Sequence, residues 1–308
     1  MKWMVFISML AFSALIHDIS SADMPEPETM YYAGFTVTHS PGLDPAARQA
    51  AAIYPGMVSE IEKALGVSMS QSKVRIYILN NDDFRSFSGG SPVMALAIPS
   101  ESSIILDYDS LRADMLVFRA TLKHEIAHMT IHSEGGGAMP KWLDEGISQW
   151  ASGGHSEIRQ RGESWDLAKA SLTGRLLPLE ALKRSFPPDE EGMRLAYTES
   201  LSAVDMMVSD YGADIISKLL GDVHSGKSAG TSFYIHTGAS IGEFAANWED
   251  RTRKLAGIMS FVKTHFYEVL FLIAAVTLVI GFIRSIYRIR TYRDQEEEDK
   301  AIEHDGEE

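Results

Sequence analysis

The feature that most constrains this chain is a pair of histidines four residues apart, His124 and His128, with Glu125 between them. In an α-helix this spacing puts both imidazoles on one face, about 6 Å apart, so that both can reach a single metal ion. Glu125 lies about 100° around the helix from His124, too far to be the natural third ligand but well placed beside a metal-bound water. The spacing predicts a zinc-binding helix in which Glu125 acts as a general base.

Apolar residues surround this motif on two flanks of the predicted helix. One flank holds Leu116, Ala120, Ala127 and Ile131, and the other holds Phe118, Leu122 and Met129. A helix that packs on both sides lies inside a domain, and a histidine buried there needs a polar partner. The pattern therefore favours a metal site over the alternative, in which the two histidines are ordinary residues on a surface helix.

The third ligand of a catalytic zinc must come from outside this pair, because such sites use three protein ligands and keep the fourth position for water. His132 is excluded, since one helix rises about 12 Å over the eight residues that separate it from His124. The metzincin pattern requires glycine at position 131 and histidine at position 134. The chain has Ile131 and Glu134 there, so this pattern is excluded as well.

Glu145 is the remaining candidate for the third ligand. Three glycines at 135–137 reverse the chain and Pro140 can start a second helix, which would face the first across one zinc. Here the chain resembles the gluzincin metallopeptidases, particularly the peptidase MA-like group, in which HExxH is followed by Trp-Leu-x-Glu-Gly, as at residues 142–146. The resemblance implies a thermolysin-like or gluzincin catalytic domain with one Zn²⁺. By the same resemblance Glu125 is the base and the zinc ligands are His124, His128 and Glu145.

The resemblance also implies a residue that stabilises the oxyanion. Gluzincins often place a Tyr or His downstream for this purpose, and Tyr197 is the candidate here. Its Tyr-x-x-Ser segment is followed by Tyr211-Gly212, by Gly-x-Ser at 238–240 and by Trp248, as in the peptidase MA-like group. A tyrosine in that position donates to the charge that develops in the transition state. The alternative is an amphipathic tyrosine packed at a helix surface.

Two features depart from related patterns. The thermolysin-like pattern has an acid four residues after the ligand glutamate, where this chain has Gln149. An amide oxygen accepts a hydrogen bond from a ligating histidine less strongly than a carboxylate does. Asp144, next to the ligand glutamate, is interpreted as a surface acid or an acid at a helix N-terminus.

The Gly-Ala-Met-Glu-Asn segment with which the aminopeptidase branch holds a substrate amine does not occur in the sequence. Aminopeptidase specificity is therefore not predicted.

Two apolar runs predict how the chain meets a membrane. Residues 1–22 have the pattern of a signal peptide cleaved before Asp23, and the alternative is an uncleaved anchor. Residues 266–283 form an 18-residue run that can just cross a hydrocarbon core about 30 Å thick, with a buried core helix as the alternative. Four arginines between positions 284 and 293 follow this run. This positive-inside signature predicts a cytosolic C-terminus and an extracytosolic HExxH segment.

Charge separates the end of the chain from the rest. Residues 284–308 are basic and then acidic, and the last fifteen hold nine acids and one lysine. They are predicted to form a solvated tail, with partner docking as the alternative. No basic stripe indicates nucleic-acid binding. The chain has no cysteine, and none of its asparagines lies in an N-glycosylation sequon, which fits a bacterial envelope protein better than a eukaryotic secretory one.

Residues 23–260 are predicted to form one extracytosolic α+β domain, with strands first and helices after. Strands are predicted at Tyr31–His39, at Val74–Leu79 and in a hairpin of 94–98 with 103–106, and a helix over 44–65 has a candidate break at Pro55. Later helices are predicted near 165–173, 194–211, 213–224 and 240–254. By resemblance, Ser91–Ile98 is the candidate edge strand to which an extended substrate adds, and the alternative is an ordinary hairpin.

These features predict a membrane-anchored, zinc-dependent metallopeptidase. Its substrates would be proteins or peptides near the outer face of the membrane, and a single helix would hold it in the lipid bilayer. The alternative is a catalytically silent gluzincin-fold scaffold or partner-binding module of the envelope. Glu125 separates the two hypotheses, because a scaffold needs no general base.

Overall fold

The computed structural model describes residues 27–69, 73–89, 93–133, 138–154 and 163–305. The predicted signal peptide and the predicted glycine turn at 135–137 lie outside these ranges. Within them, the chain combines many helices with one small sheet near its N-terminal end. The predicted α+β class is confirmed at this level, although helices also occur between the strands.

The sheet consists of β1 (Glu28–Tyr32), β2 (Phe35–His39), β3 (Val74–Leu79), β4 (Ala95–Ile98) and β5 (Ser103–Asp107). Its spatial order is β1-β2-β3-β5-β4, so β1 and β4 are the edge strands. The three inner strands run parallel, and each edge strand pairs antiparallel with its neighbour. The predicted hairpin is therefore present as β4 and β5. The predicted single strand Tyr31–His39 is wrong, because a turn at Gly34, with φ of 89°, divides it into β1 and β2.

Helix α1 (Asp44–Leu65) connects β2 to β3. Its buried side begins with the small residues Ala46, Ala47, Ala50 and Ala51. Pro55, the candidate break, lies inside the helix without ending it. It is on the exposed side, where water can satisfy the carbonyl group that proline leaves without a partner.

Two short helices, α2 (Asn81–Ser88) and α3 (Tyr108–Leu111), follow the ends of β3 and β5. Each starts at a side-chain cap. The Asn80 side-chain oxygen accepts a hydrogen bond from the Asp83 N–H at 2.8 Å, and the Asp107 carboxylate accepts one from the Ser110 N–H at 3.3 Å. Caps of this kind satisfy amide groups that have no partner within the helix.

Helix α4 (Met115–Ile131) carries the HExxH motif and is the central helix of the domain. It starts at Asp114, whose carboxylate accepts a hydrogen bond from the Leu116 N–H at 2.8 Å. Every residue from His124 to Ile131 is buried, as the two apolar flanks predicted. Leu116 is an exception to that prediction, because it is 74% exposed. It lies in the first turn, before the helix enters the core.

In the described residues the chain continues as α5 (Lys141–Ala151), α6 (Glu163–Leu172), α7 (Glu190–Tyr211), α8 (Asp214–His224), α9 (Ala229–Thr237), α10 (Ile241–Thr264) and α11 (Phe266–Asp305). Helices α6, α7, α8 and α10 correspond to the predicted ones. Helix α9 was not predicted, because its sequence is rich in Gly, Ser and Thr and has weak helical periodicity. It starts at Ser228, whose hydroxyl accepts a hydrogen bond from the Thr231 N–H at 3.1 Å.

Helices α5 and α7 touch backbone to backbone at Gly146. A Cβ atom added to this glycine would lie 2.4 Å from the Ser200 carbonyl oxygen and 2.7 Å from a Val204 methyl group. No side chain fits in that space, so the glycine allows the two helices to approach each other this closely. The contact fixes the position of α7, the helix that carries Tyr197.

The chain divides into two compact units. The first extends to Leu167 and includes Leu177–Trp248, and it contains the sheet and the HExxH helix. The second combines Ala168–Leu176 with the residues from Glu249 onward. Within the second unit, Leu270–Arg288 has a mean hydropathy of 2.2 and is not buried at all. By length and composition this stretch is a candidate membrane span, and the helix that contains it continues to Asp305.

Candidate metal centre and cleft

The two histidines of the motif meet at their Nε2 atoms. His124 is completely buried and His128 is 9% exposed, and the two Nε2 atoms are 3.1 Å apart. The rings are close to perpendicular, with centroids separated by 4.7 Å. Two Nε2 lone pairs that converge in this way inside a domain can be satisfied by one cation.

Glu145 brings a third donor atom to the same point from α5. Its Oε2 lies 3.5 Å from the His124 Nε2 and 3.3 Å from the His128 Nε2. Tetrahedral zinc with bonds of 2.0–2.2 Å separates its ligand atoms by about 3.3–3.6 Å. The three donor atoms therefore form a triangle of the size that zinc requires, and the two imidazoles and one carboxylate are a ligand set that zinc accepts. The residues fit the metal.

The charges around this triangle act on each other strongly. Burial by itself would raise the pKa of Glu145, but His128, His124 and Lys141 outweigh it and hold that pKa well below its usual range. Burial by itself would lower the pKa of His128, but the carboxylates of Asp144 and Glu145 raise that pKa well above its usual value. The site thus attracts positive charge. Lys141 supplies part of the positive charge that balances the Glu145 carboxylate, because its Nζ donates to the Glu145 Oε1 at 3.0 Å.

A second group of polar residues surrounds the Nδ1 atom of His128. The Asp144 Oδ1 and the Ser148 hydroxyl oxygen each lie 3.1 Å from it. The other oxygen of Asp144, Oδ2, is 2.9 Å from the His132 Nε2. The interpretation of Asp144 as a surface or helix-terminal acid was incomplete. Its place in the first turn of α5 was foreseen, but its contacts with His128 and His132 were not.

Gln149 takes no part in these contacts with His128. Its amide Nε2 donates to the Glu145 carbonyl oxygen at 3.2 Å and to the Tyr197 carbonyl oxygen at 3.0 Å. The side chain therefore links the ligand helix α5 to α7. The sequence had suggested the Gln149 amide oxygen as the acceptor for a ligating histidine. Among the described residues, Asp144 and Ser148 are the groups beside the His128 Nδ1.

The donor triangle opens into a cleft with a volume of about 340 Å³. Glu125, which is completely buried in α4, lines this cleft together with His128 and Glu145. Tyr197 lines it from α7 and is 4% exposed. Its ring packs edge-on against Phe186, with centroids 5.1 Å apart. The structure thus brings all five sequence-predicted site residues into one region.

Strand β4 forms another wall of the cleft. Leu96, Ala97 and the following Pro99 line it, and β4 is the outermost strand on that side of the sheet. An edge strand has one row of backbone N–H and C=O groups that is not used for pairing within the sheet. Such a row can pair with an extended peptide.

Two histidines and a glutamate that converge in this way, beside a buried acid in a cleft under an edge strand, define a zinc metallopeptidase-like domain. The chain belongs to the Peptidase MA superfamily, because the family model of that description matches residues 58–253, which is more than half of the chain. The matched region includes the whole donor triangle and Tyr197. No curated protein matches the sequence.

Two solved structures are similar to this chain at low sequence identity. Native yeast LTA4 hydrolase is 11% identical, with a TM-score of 0.46, and the match covers 74% of this chain and 38% of that one. The M1 zinc metallopeptidase from Deinococcus radiodurans is 16% identical, with a TM-score of 0.42, and the match covers 72% of this chain and 51% of that one. The chain thus aligns with about half or less of the length of these proteins.

Proposed function

We propose that this protein is a zinc-dependent peptidase in which His124, His128 and Glu145 hold the metal and Glu125 moves the proton. The observation that carries the proposal is the donor triangle, with sides of 3.1–3.5 Å, which adjoins Glu125 in an open cleft. Lys141 supports it, since its bond to the Glu145 Oε1 leaves Oε2 directed at the two imidazoles. Membership of the Peptidase MA superfamily makes peptide bonds the expected substrate.

The chemistry divides between the metal and the protein. When bound, zinc supplies a Lewis acid that polarises a peptide carbonyl and lowers the pKa of water to about 7. Glu125 accepts a proton from the attacking water and returns it to the leaving amine. Burial of Glu125 beside the cleft holds its carboxylate in one place during both transfers. The backbone of β4 binds the substrate in extended form.

Digestion of a broad peptide library tests this proposal. The zinc-loaded protein is compared with its Glu125→Gln variant, and the cleaved positions are read by mass spectrometry. Cleavage that depends on Glu125 supports the peptidase. The positions also check the expectation that the protein is not an aminopeptidase, since removal of single N-terminal residues would contradict it. Zinc binding without turnover of any library member would favour the scaffold.

Tyr197 donates a hydrogen bond to the oxyanion in this proposal. Tyr197→Phe removes only the hydroxyl group, and kcat is expected to fall by about 10²–10³-fold with KM and zinc content little changed. Steady-state kinetics on a peptide from the library measures this. Tyr211→Phe is the matched control, because Tyr211 lies on the same helix and its ring packs edge-on against Phe233. An unchanged kcat in Tyr197→Phe would remove the proposed role.

Residues 266–283 anchor the protein in a membrane, with the peptidase domain at 23–260 outside the cytosol and the tail at 284–308 inside it. The exposure of Phe271 (77%) and Leu278 (74%) supports this, because water is an unfavourable surrounding for such a surface. Substrates would then lie near the outer face of the membrane. After removal of the predicted signal peptide, this helix is the expected anchor.

The full chain is expected to stay in the membrane pellet after extraction with alkaline carbonate, while a chain that ends at residue 264 is expected in the soluble fraction. The reason is that the apolar stretch at 266–283 is held in the bilayer by the hydrophobic effect, which carbonate does not disrupt. Immunoblotting of the two fractions measures the outcome. Release of the full chain by carbonate would contradict the anchor, and protease protection of the tail in sealed cells checks the orientation.

A further inference from the structure

We propose that Asp144, held in place by His132, positions the imidazole of His128 for metal binding. The inference rests on the proposed zinc site and adds two residues to it, neither of which is a ligand. Both lie one layer outside the donor triangle, and together with His128 they form a continuous chain of hydrogen bonds from the metal centre toward the solvent.

The two ring nitrogens of His128 face different groups. Its Nε2 faces the donor triangle, 3.1 Å from the His124 Nε2 and 3.3 Å from the Glu145 Oε2. Its Nδ1 lies 3.1 Å from the Asp144 Oδ1. A carboxylate can only accept at this position, so the hydrogen of a neutral imidazole is drawn to Nδ1. The lone pair is then left on Nε2, which is the tautomer that a metal ligand requires.

His132 contacts the second carboxylate oxygen of Asp144. It follows His128 by one helical turn, and its Nε2 lies 2.9 Å from the Asp144 Oδ2. One carboxylate oxygen therefore contacts His128 in α4, and the other contacts His132 just after the end of α4, which fixes the carboxylate plane. His132 is too far along the helix to share an ion with His124. Its side chain is 37% exposed, and that of Asp144 is 20% exposed, so the chain of bonds ends at the surface.

Ser148 limits how strongly the replacement of Asp144 is expected to affect the orientation of His128. Its hydroxyl oxygen also lies 3.1 Å from the His128 Nδ1, so it can accept the same hydrogen when Asp144 is replaced. A charged acceptor forms the stronger bond, by roughly a factor of two. Loss of Asp144 therefore weakens the orientation of His128 without abolishing it, and the double replacement of Asp144 and Ser148 removes both acceptors.

The test measures zinc binding by the metal-free full chain in detergent, by competition with a chromophoric chelator. Asp144→Ala is expected to weaken zinc affinity by about 10–100-fold. His132→Ala is expected to have a smaller effect in the same direction, and His132→Gln, whose amide can still donate to Asp144, is expected to restore most of the affinity. Asp82→Asn is the matched control, because Asp82 is also an acid in the first turn of a helix but is exposed and outside the cleft.

Substitution of cobalt for zinc distinguishes a positioning role from a purely structural role, because only the former changes the ligand field of the metal. The visible spectrum of bound Co²⁺ reports the ligand field, and it is expected to shift in Asp144→Ala and to return toward wild type in Asp144→Asn, which keeps an acceptor oxygen. Circular dichroism of the metal-free variants checks folding, and His132→Ala carries the test if Asp144→Ala does not fold. Wild-type affinity and spectrum in folded Asp144→Ala, or in folded His132→Ala where that variant carries the test, would overturn the inference.

Stoichiometry separates positioning from direct ligation. One zinc per chain is expected. Two zinc ions, with the second lost in His132→Ala, would overturn the inference by making Asp144 and His132 ligands of their own site. None of these measurements requires peptide cleavage. A chain that binds zinc in this way but cleaves nothing would remove the proposed peptidase and leave the positioning role standing.

Discussion

Glu125→Gln is expected to lose peptide cleavage by about 10³-fold or more while it keeps zinc at the wild-type level. The amide has nearly the shape of the carboxylate, so the buried position in α4 remains filled, but an amide cannot take up the proton of the attacking water. Zinc is expected to stay because the donor triangle consists of His124, His128 and Glu145. Cleavage of a library peptide and metal analysis of the same sample measure both effects.

Glu28→Gln provides the control for this change. Glu28 is an exposed glutamate on β1, the edge strand at the far side of the sheet from β4, so its replacement is expected to leave both cleavage and zinc unchanged. Cleavage by Glu125→Gln at the wild-type rate would eliminate the mechanism. Loss of zinc together with cleavage would assign Glu125 to assembly of the metal site instead of proton transfer.

Gly146→Ala is expected to destabilise the domain by about 3 kcal/mol and to lower its unfolding midpoint by about 10 °C. The added methyl group would lie 2.4 Å from the Ser200 carbonyl oxygen, which belongs to the backbone of α7 and cannot rotate away. Relief requires α7 to move, and Tyr197 moves with it. Thermal unfolding of the full chain in detergent measures the stability, and kcat is expected to fall in the same variant.

Gly221→Ala is the matched control, because it makes the same change within helix α8. A Cβ atom at Gly221 meets nothing within 4 Å. Alanine is favoured over glycine in a helix, so this variant is expected to gain about 0.5–1 kcal/mol. If the unfolding free energy falls in Gly146→Ala and rises in Gly221→Ala, the loss at Gly146 is due to the contact between α5 and α7. Equal stability of Gly146→Ala and the wild type would show that α5 and α7 do not depend on this approach.

The central part of the site could be predicted because it depends on short-range spacing. The four-residue spacing between His124 and His128 places both imidazoles on one face of α4. The position of Glu145 followed from the turn and from the helix start at Pro140. Val74–Leu79, in which Val74, Ile76 and Ile78 alternate with other residues, was predicted as a strand for the same reason. Each of these inferences uses residues that are close in sequence.

The outer layer of the site could not be predicted, because it depends on how α5 lies against α4. Asp144 is adjacent to Glu145 in sequence, and only the observed packing directs it at the Nδ1 of His128. His132 had been excluded as a ligand, and that exclusion gave no indication that it would contact Asp144 instead. The available signal was a histidine one turn after His128 combined with an acid just before the ligand glutamate.

Other differences have local causes. A glycine with positive φ inside an alternating pattern divided the first predicted strand, since period-2 alternation continues through a tight turn. Helix α9 has weak periodicity, so its formation depends on packing within the domain rather than on pattern. The exposure of Leu116 shows that an apolar stripe can extend one turn beyond the region where its helix is covered.

The backbone contact at Gly146 also limits how this cleft can be redesigned. Only a residue without a side chain fits at the crossing of α5 and α7. A shift of α7 by one residue would bring other side chains against Gly146, where the Ser200 backbone and a Val204 methyl group now lie. The cleft wall formed by α7 therefore has a fixed register relative to the ligand helix. In the proposed peptidase, substrate preference would change through side-chain replacements at positions such as Met193 and Phe186 and along β4, and not through a shift of the helix that bears Tyr197.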